Sequence, residues 1–213
     1  MIPLLHDFDG ETVLVFGGGP VGARKARRFA DAGTVLVVSA SFAGTDFGGA
    51  EQVRAAVDAD YARELLARCD PALVVVATDD EALNDAIQEA ADVTTLVNRA
   101  DRPGARQQGS VVVPATLRSG PVTVSVATDA TSPAVSRHLR EQIEGIVEGA
   151  GLVAKATGAL RADLRERPIA PEKRQKAVSA AADHPGVWTA ARDGDLEEVR
   201  DLVRTVTEDT LGG

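Results

Sequence analysis

The stretch that decides the fold is Glu11–Ser39, ETVLVFGGGPVGARKARRFADAGTVLVVS. It begins with a short apolar run, Glu11–Phe16, which is typical of a buried strand. Apolar side chains then recur at helical spacing over Pro20–Ala32, and Gly33 is a helix-ending signal. A second apolar run, Thr34–Val38, follows. The stretch therefore predicts a strand–helix–strand unit of about 30 residues.

Glycines fill the turn between the first strand and the helix. Gly17, Gly19 and Gly22 match G-x-G-x-x-G, with a strand before and a helix after, which is the context that gives this pattern its meaning. The first glycine permits the tight turn, the second lets the backbone approach a pyrophosphate, and the third lets helix and strand pack closely. The alternative is a glycine-rich turn without a ligand. The residues predicted to bind a dinucleotide here are Gly17, Gly18, Gly19, Pro20, Val21 and Gly22.

The acidic residue that usually holds the ribose hydroxyls of NAD is missing. It normally follows the second strand, but here Val38 leads into Ser39-Ala40-Ser41. No arginine stands there to meet a 2′-phosphate either. We therefore expect NAD rather than NADP, with Ser39 or Ser41 as substitute ribose contacts. Their alternative role is that of ordinary loop residues.

Strand and helix patterns continue to alternate to about residue 100. Strands are predicted at 52–57, 72–77 and 94–97, and helices at 61–68 and 81–91. A hairpin is predicted from the β-rich segments 110–113 and 122–127, which flank a turn signal at 118–121. Helices are predicted at 132–148, 152–165, 172–182 and 196–207.

The predicted fold class is α/β. An N-terminal Rossmann-type doubly wound parallel sheet covers residues 1–113, because strands that alternate with helices favour that architecture. A small mixed α/β region covers 114–149, and a C-terminal helical region covers 150–213.

The carboxyl ends of the later strands are further candidate sites, because ligands bind at that edge of a parallel sheet. We assign Ala77 and Thr78, which end the fourth strand, and Asn98, after the fifth, to the cofactor. Asp79 is expected to cap the helix that follows it.

Charge is distributed unevenly along the chain. The formal net charge is -9, yet six arginines and only two aspartates lie between Val97 and Arg140. A basic segment in an acidic protein predicts an anionic substrate with several carboxylates, which arginine binds with two parallel hydrogen bonds. The alternative is that these arginines lie on solvent-exposed faces. Asp101 stands alone among them and is a candidate base or metal contact, or else an arginine-paired loop residue.

Several function classes are disfavoured. The acidic balance argues against nucleic acid as a partner. No apolar run is long enough to span a membrane, and the N-terminus lacks the basic segment of a secretory signal. Cys69 is the only cysteine, which excludes an internal disulfide. His, Cys and carboxylate residues show no ligand spacing, so we expect no tightly held metal. A cytoplasmic location is the expectation.

At this point the sequence resembles the dehydrogenase/chelatase module of siroheme synthases, the precorrin-2 dehydrogenase family. The resemblance covers about residues 1–165. It rests on these segments, in this order: Pro3-Leu4, Gly17 to Ala26, Ala77-Thr78-Asp79-Asp80, Asn98 to Asp101, Pro114-Ala115, Thr131-Ser132-Pro133, and Arg137 to Glu141.

The resemblance implies a function and an assembly. Members bind NAD, oxidise precorrin-2 to sirohydrochlorin, and in some cases insert ferrous iron as a substrate. They form a homodimer through the central segment, so residues 114–149 become a dimerisation region. The family's functional aspartate falls on Asp101, the catalytic candidate, and its motif serine falls on Ser132. The residues assigned to the tetrapyrrole are Arg99, Arg102, Arg106, Ser132 and Arg137.

Two other classes remain open. A non-enzymatic NAD-sensing module would share the glycine turn but has no need for the arginines or Asp101. A small-molecule reductase usually needs a Tyr–Lys or His–carboxylate pair, and the single tyrosine, Tyr61, has no lysine near it in sequence.

Overall fold

The computed structural model describes residues 2–102 and 110–212. The chain divides into two compact units, Met1–Val113 and Pro114–Gly213. The strands of the first unit are β1 (Thr12–Phe16), β2 (Thr34–Ser39), β3 (Glu51–Arg54), β4 (Leu73–Val76) and β5 (Leu96–Arg99), and its helices are α1 (Pro20–Arg28), α2 (Ala59–Cys69) and α3 (Glu81–Ala90).

Within the described residues, the five strands form one parallel sheet in the order β3-β2-β1-β4-β5. The chain starts at the central strand, moves outward to β3, and then returns to the other side of β1. The strand order therefore reverses between β1 and β4, and the crevice at their carboxyl ends is where such sheets bind ligands.

Both faces of this sheet are buried. Alternate residues of a strand point to opposite faces, and β1 sends Leu14 and Phe16 into one apolar cluster and Val13 and Val15 into another. The first cluster includes Leu65 of α2, and the second includes Ala23 and Ala26 of α1. Helices thus cover both faces, which explains why the strands read as continuous apolar runs.

Aspartates begin two of the helices. The side chain of Asp58 accepts a hydrogen bond from the Tyr61 N–H at 2.8 Å, and that of Asp80 accepts one from the Leu83 N–H at 3.0 Å. The prediction that Asp79 caps the second of these helices was wrong. The helix begins at Glu81, so Asp80 occupies the capping position.

The second unit is a hairpin followed by helices. Its elements are β6 (Ala115–Ser119), β7 (Val122–Val126), α4 (Pro133–Val147), α5 (Ala150–Glu166), α6 (Pro171–Asp183), α7 (Pro185–Arg192) and α8 (Leu196–Gly212). The last four helices share an apolar core that includes Val153, Ala181, Val187 and Val199. None of the described residues of α4 is buried within this chain.

The main differences between the predicted and the observed elements are the first strand of the hairpin and helix α7. The first strand of the hairpin lies at Ala115–Ser119 rather than at 110–113, where Ser110 makes an isolated parallel bridge to Val97. Helix α7 was not predicted, because Pro185 was interpreted as a break between helices. Proline is nevertheless well suited to the first position of a helix, which Pro185 occupies here.

The predicted fold class is confirmed by the parallel sheet, the mixed central segment and the helical end. The three-part division of the chain stays a prediction. Of the helices in the described part of the chain, none is both long and apolar enough to cross a membrane.

Candidate functional site

The glycine turn joins β1 to α1, and its first glycine is fixed by contact with β4. Gly17 has φ +120°, a conformation that side-chain-bearing residues rarely adopt, and a Cβ there would lie 2.3 Å from the Ala77 carbonyl oxygen. Its N–H donates to the Val38 carbonyl at 3.0 Å. Gly22 is equally confined, because its Cβ would lie 1.9 Å from the Gly17 carbonyl oxygen. Only glycine fits either position.

Gly19 is different, because it faces open space. A Cβ built there would meet no atom within 4 Å. Gly19 is the N-cap residue of α1, with no side-chain cap, and Pro20 follows at the first helical position. The first N–H groups of a helix lack partners within it and attract anions. The turn therefore has the room and the donors for the pyrophosphate of a dinucleotide, and the residues present fit that group.

The loop after β2 packs against the same turn. A Cβ on Gly18 would lie 2.2 Å from the Ser41 carbonyl oxygen and 2.9 Å from the Ser39 Cβ. The Ala43 N–H also donates to the Gly18 carbonyl at 2.8 Å. The structure thus brings Ser39 and Ser41 beside the glycines. If a dinucleotide binds with its pyrophosphate at the turn, its adjoining ribose would lie near these serines. Contact between these serines and the cofactor stays a prediction.

Just after β4, a buried asparagine holds Thr78, one of the residues that the sequence analysis assigned to the cofactor. Ala77 donates its N–H to the Phe16 carbonyl at 2.8 Å. Thr78 donates its hydroxyl to Asn84 Oδ1 at 2.5 Å, and Asn84 Nδ2 donates to the Thr78 carbonyl at 2.9 Å and to Asp101 Oδ2 at 3.1 Å. Asn84 therefore ties the end of β4 to the segment after β5.

Asp101 is held by Arg99 through two hydrogen bonds. Arg99 Nε donates to Asp101 Oδ1 at 2.8 Å, and Nη2 donates to Oδ2 at 2.6 Å. These bonds from Arg99 hold the pKa of Asp101 below its ordinary value, against the opposing effect of burial. The Asp101 carboxylate is therefore a fixed anion at neutral pH.

Arg99 itself is buried and surrounded by protein acceptors. Its Nη1 donates to Asp85 Oδ1 at 2.7 Å and to Gln88 Oε1 at 2.8 Å. The hydrogen bond to Asp101 is the main cause that raises the pKa of Arg99. Arg102 is less buried and pairs with Asp85 at 3.0 Å and with Glu81. The two arginines thus order the segment that carries Asp101, and their contact with substrate stays a prediction.

Asn98 lies on the α1 side of the sheet and is also fully engaged. Its Oδ1 accepts a hydrogen bond from Lys25 Nζ at 2.8 Å, and its Nδ2 donates to the Val111 carbonyl at 2.7 Å. Burial lowers the pKa of Lys25 to about 8, with help from the positive charges of Arg28 and Arg24. Asn98 thus anchors the chain on both sides of the segment 103–109, and its predicted contact with the cofactor is untested.

The remaining candidates lie in the second unit or outside the described residues. Ser132 is the N-cap residue of α4, and its Oγ accepts a hydrogen bond from the Val135 N–H at 3.3 Å. Arg137, one turn later, is exposed. Arg106 lies outside the described residues. Among residues 2–102 and 110–212, no group of three or more His, Cys, Asp or Glu side chains is arranged to hold a metal ion.

Three residues of the first unit contact the candidate site residues but were not predicted from the sequence, namely Asn84, Asp85 and Lys25. A polar residue on the apolar face of a predicted helix was the available signal for Asn84, because it lies one turn before the buried Ile87. Lys25 occupies a comparable place, because it lies one turn after the buried Gly22 of α1. Their partners lie in β5 or in the segments that follow β4 and β5, and no local pattern indicates those contacts.

The chain is similar to proteins of known family. A family model described as "Putative NAD(P)-binding" matches residues 4–115. A precorrin-2 dehydrogenase of Methanosarcina barkeri is 31% identical over 199 residues, which are 88% of this chain and 85% of that protein. A siroheme synthase of Stutzerimonas stutzeri is 35% identical over 170 residues, which are 78% of this chain but 36% of that protein.

A solved structure shares the fold. The structure of "SirC, precorrin-2 dehydrogenase" matches with a TM-score of 0.70 and 20% identity, over 98% of this chain and all of that one. The glycine turn and the parallel sheet described above lie within the part matched by the NAD(P)-binding model. The chain therefore belongs to the NAD(P)-binding family of the precorrin-2 dehydrogenases.

Proposed function

We propose that the chain is an NAD-dependent precorrin-2 dehydrogenase that produces sirohydrochlorin in siroheme biosynthesis. The observation that carries the proposal is the open space at Gly19, at the N-terminus of α1, in a chain that matches a precorrin-2 dehydrogenase over 88% of its length. NAD, when bound, supplies the acceptor for a hydride. The protein has to hold the dinucleotide, hold the macrocycle against it, and assist the loss of one proton.

The first unit performs the binding step. Gly17, Gly18, Gly19, Pro20, Val21 and Gly22 hold the pyrophosphate, and Ser39, Ser41, Ala77, Thr78 and Asn98 are the further residues assigned to the cofactor. The switch point between β1 and β4 directs a bound dinucleotide along the carboxyl ends of the strands. Asp101 follows β5 at the same edge of the sheet.

Asp101 is assigned to catalysis. When a hydride leaves the macrocycle, positive charge develops on the ring system. A carboxylate held ionised by Arg99 stabilises that charge. Its lowered pKa makes Asp101 a weak base, but the proton lost from a cationic macrocycle is strongly acidic, so a weak base is sufficient. Arg99, Arg102, Arg106, Ser132 and Arg137 are assigned to the carboxylates of the tetrapyrrole, and Arg99 also holds Asp101.

A homodimer is part of the proposal. Helix α4 buries none of its described residues within this chain, and it exposes 47% of Val135, 41% of Leu139 and 67% of Ile146. These apolar side chains recur at helical spacing, and such a stripe marks an association surface. A second copy of the chain is the occupant that we propose. A cytoplasmic location stays a prediction.

Insertion of ferrous iron into sirohydrochlorin is a second candidate activity, favoured by the match of 78% of this chain to a siroheme synthase. One anaerobic experiment tests both activities. Purified protein is incubated with precorrin-2 and NAD, and then with ferrous or cobaltous ions, while the absorbance spectrum is followed. We expect sirohydrochlorin in the first stage. A dinucleotide-binding protein that never turns over precorrin-2 is instead a sensing module, and the proposal then fails.

A further inference from the structure

The adenosine end of the proposed cofactor site carries a feature that the sequence did not reveal. Strand β2 ends at Ser39, and the next residues are Ala40 and Ser41, so no carboxylate stands where NAD-binding sheets of this type place one. A carboxylate at that position binds the 2′-hydroxyl and repels a 2′-phosphate. Because this carboxylate is absent, the preference for NAD or NADP depends on the other side chains that lie beside Ser39.

An arginine lies there. Arg54 is the last residue of β3, and it is the in-register partner of Ser39 in the parallel pair β2–β3. Residues paired in this way direct their side chains to the same face of a sheet. Arg54 Nη1 donates to the Ala40 carbonyl at 3.2 Å, and its guanidinium carbon lies 5.5 Å from the centre of the Phe42 ring.

The same loop touches the glycine turn. A Cβ on Gly18 would lie 2.9 Å from the Ser39 Cβ and 3.0 Å from Phe42 Cδ1. The arginine, the two serines and the turn that holds the pyrophosphate therefore form one continuous cluster at the carboxyl edge of the sheet. In NADP the 2′-phosphate is on the adenosine ribose, which is joined directly to the pyrophosphate. This cluster therefore lies where the adenosine ribose is recognised.

Arg54 keeps most of its hydrogen-bonding capacity for a ligand. A guanidinium has five N–H donors, and the bond to Ala40 uses one. In the described part of the chain, Arg54 forms no ion pair with a carboxylate, whereas Arg99 and Arg102 both do. It is exposed, and the Phe42 ring supports its planar group.

We propose that Arg54, together with the hydroxyls of Ser39 and Ser41, forms a subsite for the 2′-phosphate of NADP, so that the chain binds NADP as well as NAD. Arginine matches phosphate through two parallel hydrogen bonds, and hydroxyls supply the neutral donors around it. This inference rests on the dinucleotide site of the proposed function, and it adds a ligand group that the function does not require.

Calorimetric titration of the intact protein with NAD and, separately, NADP tests the inference. We expect the wild-type protein to bind NADP with a Kd within about tenfold of that for NAD. In Arg54→Gln the ratio of the NADP Kd to the NAD Kd should rise by about tenfold to a hundredfold, the scale of a lost hydrogen bond between charged groups. Arg54→Lys keeps the positive charge but loses the planar pair of N–H donors, so it should give an intermediate ratio.

Arg63→Gln is the matched control, because Arg63 is an exposed arginine of α2 that pairs with Asp60. It should leave the ratio at the wild-type value. A wild-type protein that binds NAD but has a Kd for NADP more than a hundredfold higher would overturn the 2′-phosphate subsite and leave the proposed function intact. An equal loss of both cofactors in Arg54→Gln would overturn it as well. Failure of the wild-type protein to bind either cofactor would remove the dinucleotide site, and with it both proposals.

Discussion

Two alanine substitutions, only two residues apart, should differ sharply in their effect on stability. At Gly17 an added Cβ would lie 2.3 Å from the Ala77 carbonyl oxygen, in a backbone conformation with φ +120°. A strained backbone of this kind costs about 1–3 kcal/mol, and overpacking costs about as much again. We therefore expect Gly17→Ala to lower the free energy of unfolding by roughly 2–6 kcal/mol.

At Gly19 the same added carbon meets no atom within 4 Å, and φ is -77°, which alanine adopts readily. The free energy of unfolding should stay within about 0.5 kcal/mol of wild type. The affinity for NAD should nevertheless fall by about tenfold to a hundredfold, because the carbon occupies the space of the pyrophosphate and weakens its hydrogen bonds to the helix N-terminus.

Urea denaturation of each variant gives the stability, and calorimetric titration with NAD gives the affinity. The contrast between the two variants carries the information, because a general loss of folding would affect both measurements together. Wild-type NAD affinity in Gly19→Ala would refute the placement of the pyrophosphate at this turn. A loss of stability in Gly19→Ala as large as that in Gly17→Ala would refute the geometry of the turn.

Three further predictions concern other parts of the chain. Asp101→Ala should lower precorrin-2 turnover by about a hundredfold, which is the scale of a lost acid–base group. The control is Asp85→Ala, which also removes a partner of Arg99 but should leave turnover near the wild-type rate. Equal turnover in the two variants would show that Asp101 has only a structural role. Burial lowers the pKa of Lys25 from 10.5 to about 8, so the unfolded chain binds more protons between these values and stability should rise there with pH. The melting temperature of Lys25→Met should not rise with pH in this way. A rise equal to that of the wild type would show that Lys25 is not its cause. Leu139→Glu should convert a dimer into a monomer in light scattering, while Glu141→Gln on the same helix should not; a monomeric wild-type protein would contradict the dimer.

Local signals explain how much of the fold was predictable. The β1–α1–β2 unit is encoded within Glu11–Ser39, because strand periodicity, the glycine turn and the helix lie side by side in sequence. Helix α4 was placed within one residue at each end, since Ser132 and Pro133 are strong start signals. The shift of β6 to Ala115–Ser119 shows the limit, because the valines at 111–113 have the higher strand propensity but the pairing with β7 forms over Ala115–Ser119.

The site was less predictable because its contacts are non-local. Arg54 lies beside Ser39 only because β2 pairs with β3, so no local pattern after β2 indicates that an arginine is near. Asn84 contacts Asp101 from helix α3, far away in sequence. Arg99, which was assigned to the substrate because of its charge, is buried against protein carboxylates. Residue type and position along a strand indicate which edge of the sheet a side chain occupies, but only the folded chain determines its partner.

We propose above that this chain catalyses the transfer of a hydride from precorrin-2 to NAD. The most direct measurement is the yield of NADH and sirohydrochlorin from precorrin-2 under anaerobic conditions, compared between the wild-type protein and Gly19→Asp, which places an anion where the pyrophosphate should lie. We expect equal amounts of NADH and sirohydrochlorin from the wild type and neither product above background from the variant. Formation of sirohydrochlorin without NADH, or at the same rate in Gly19→Asp, would contradict it.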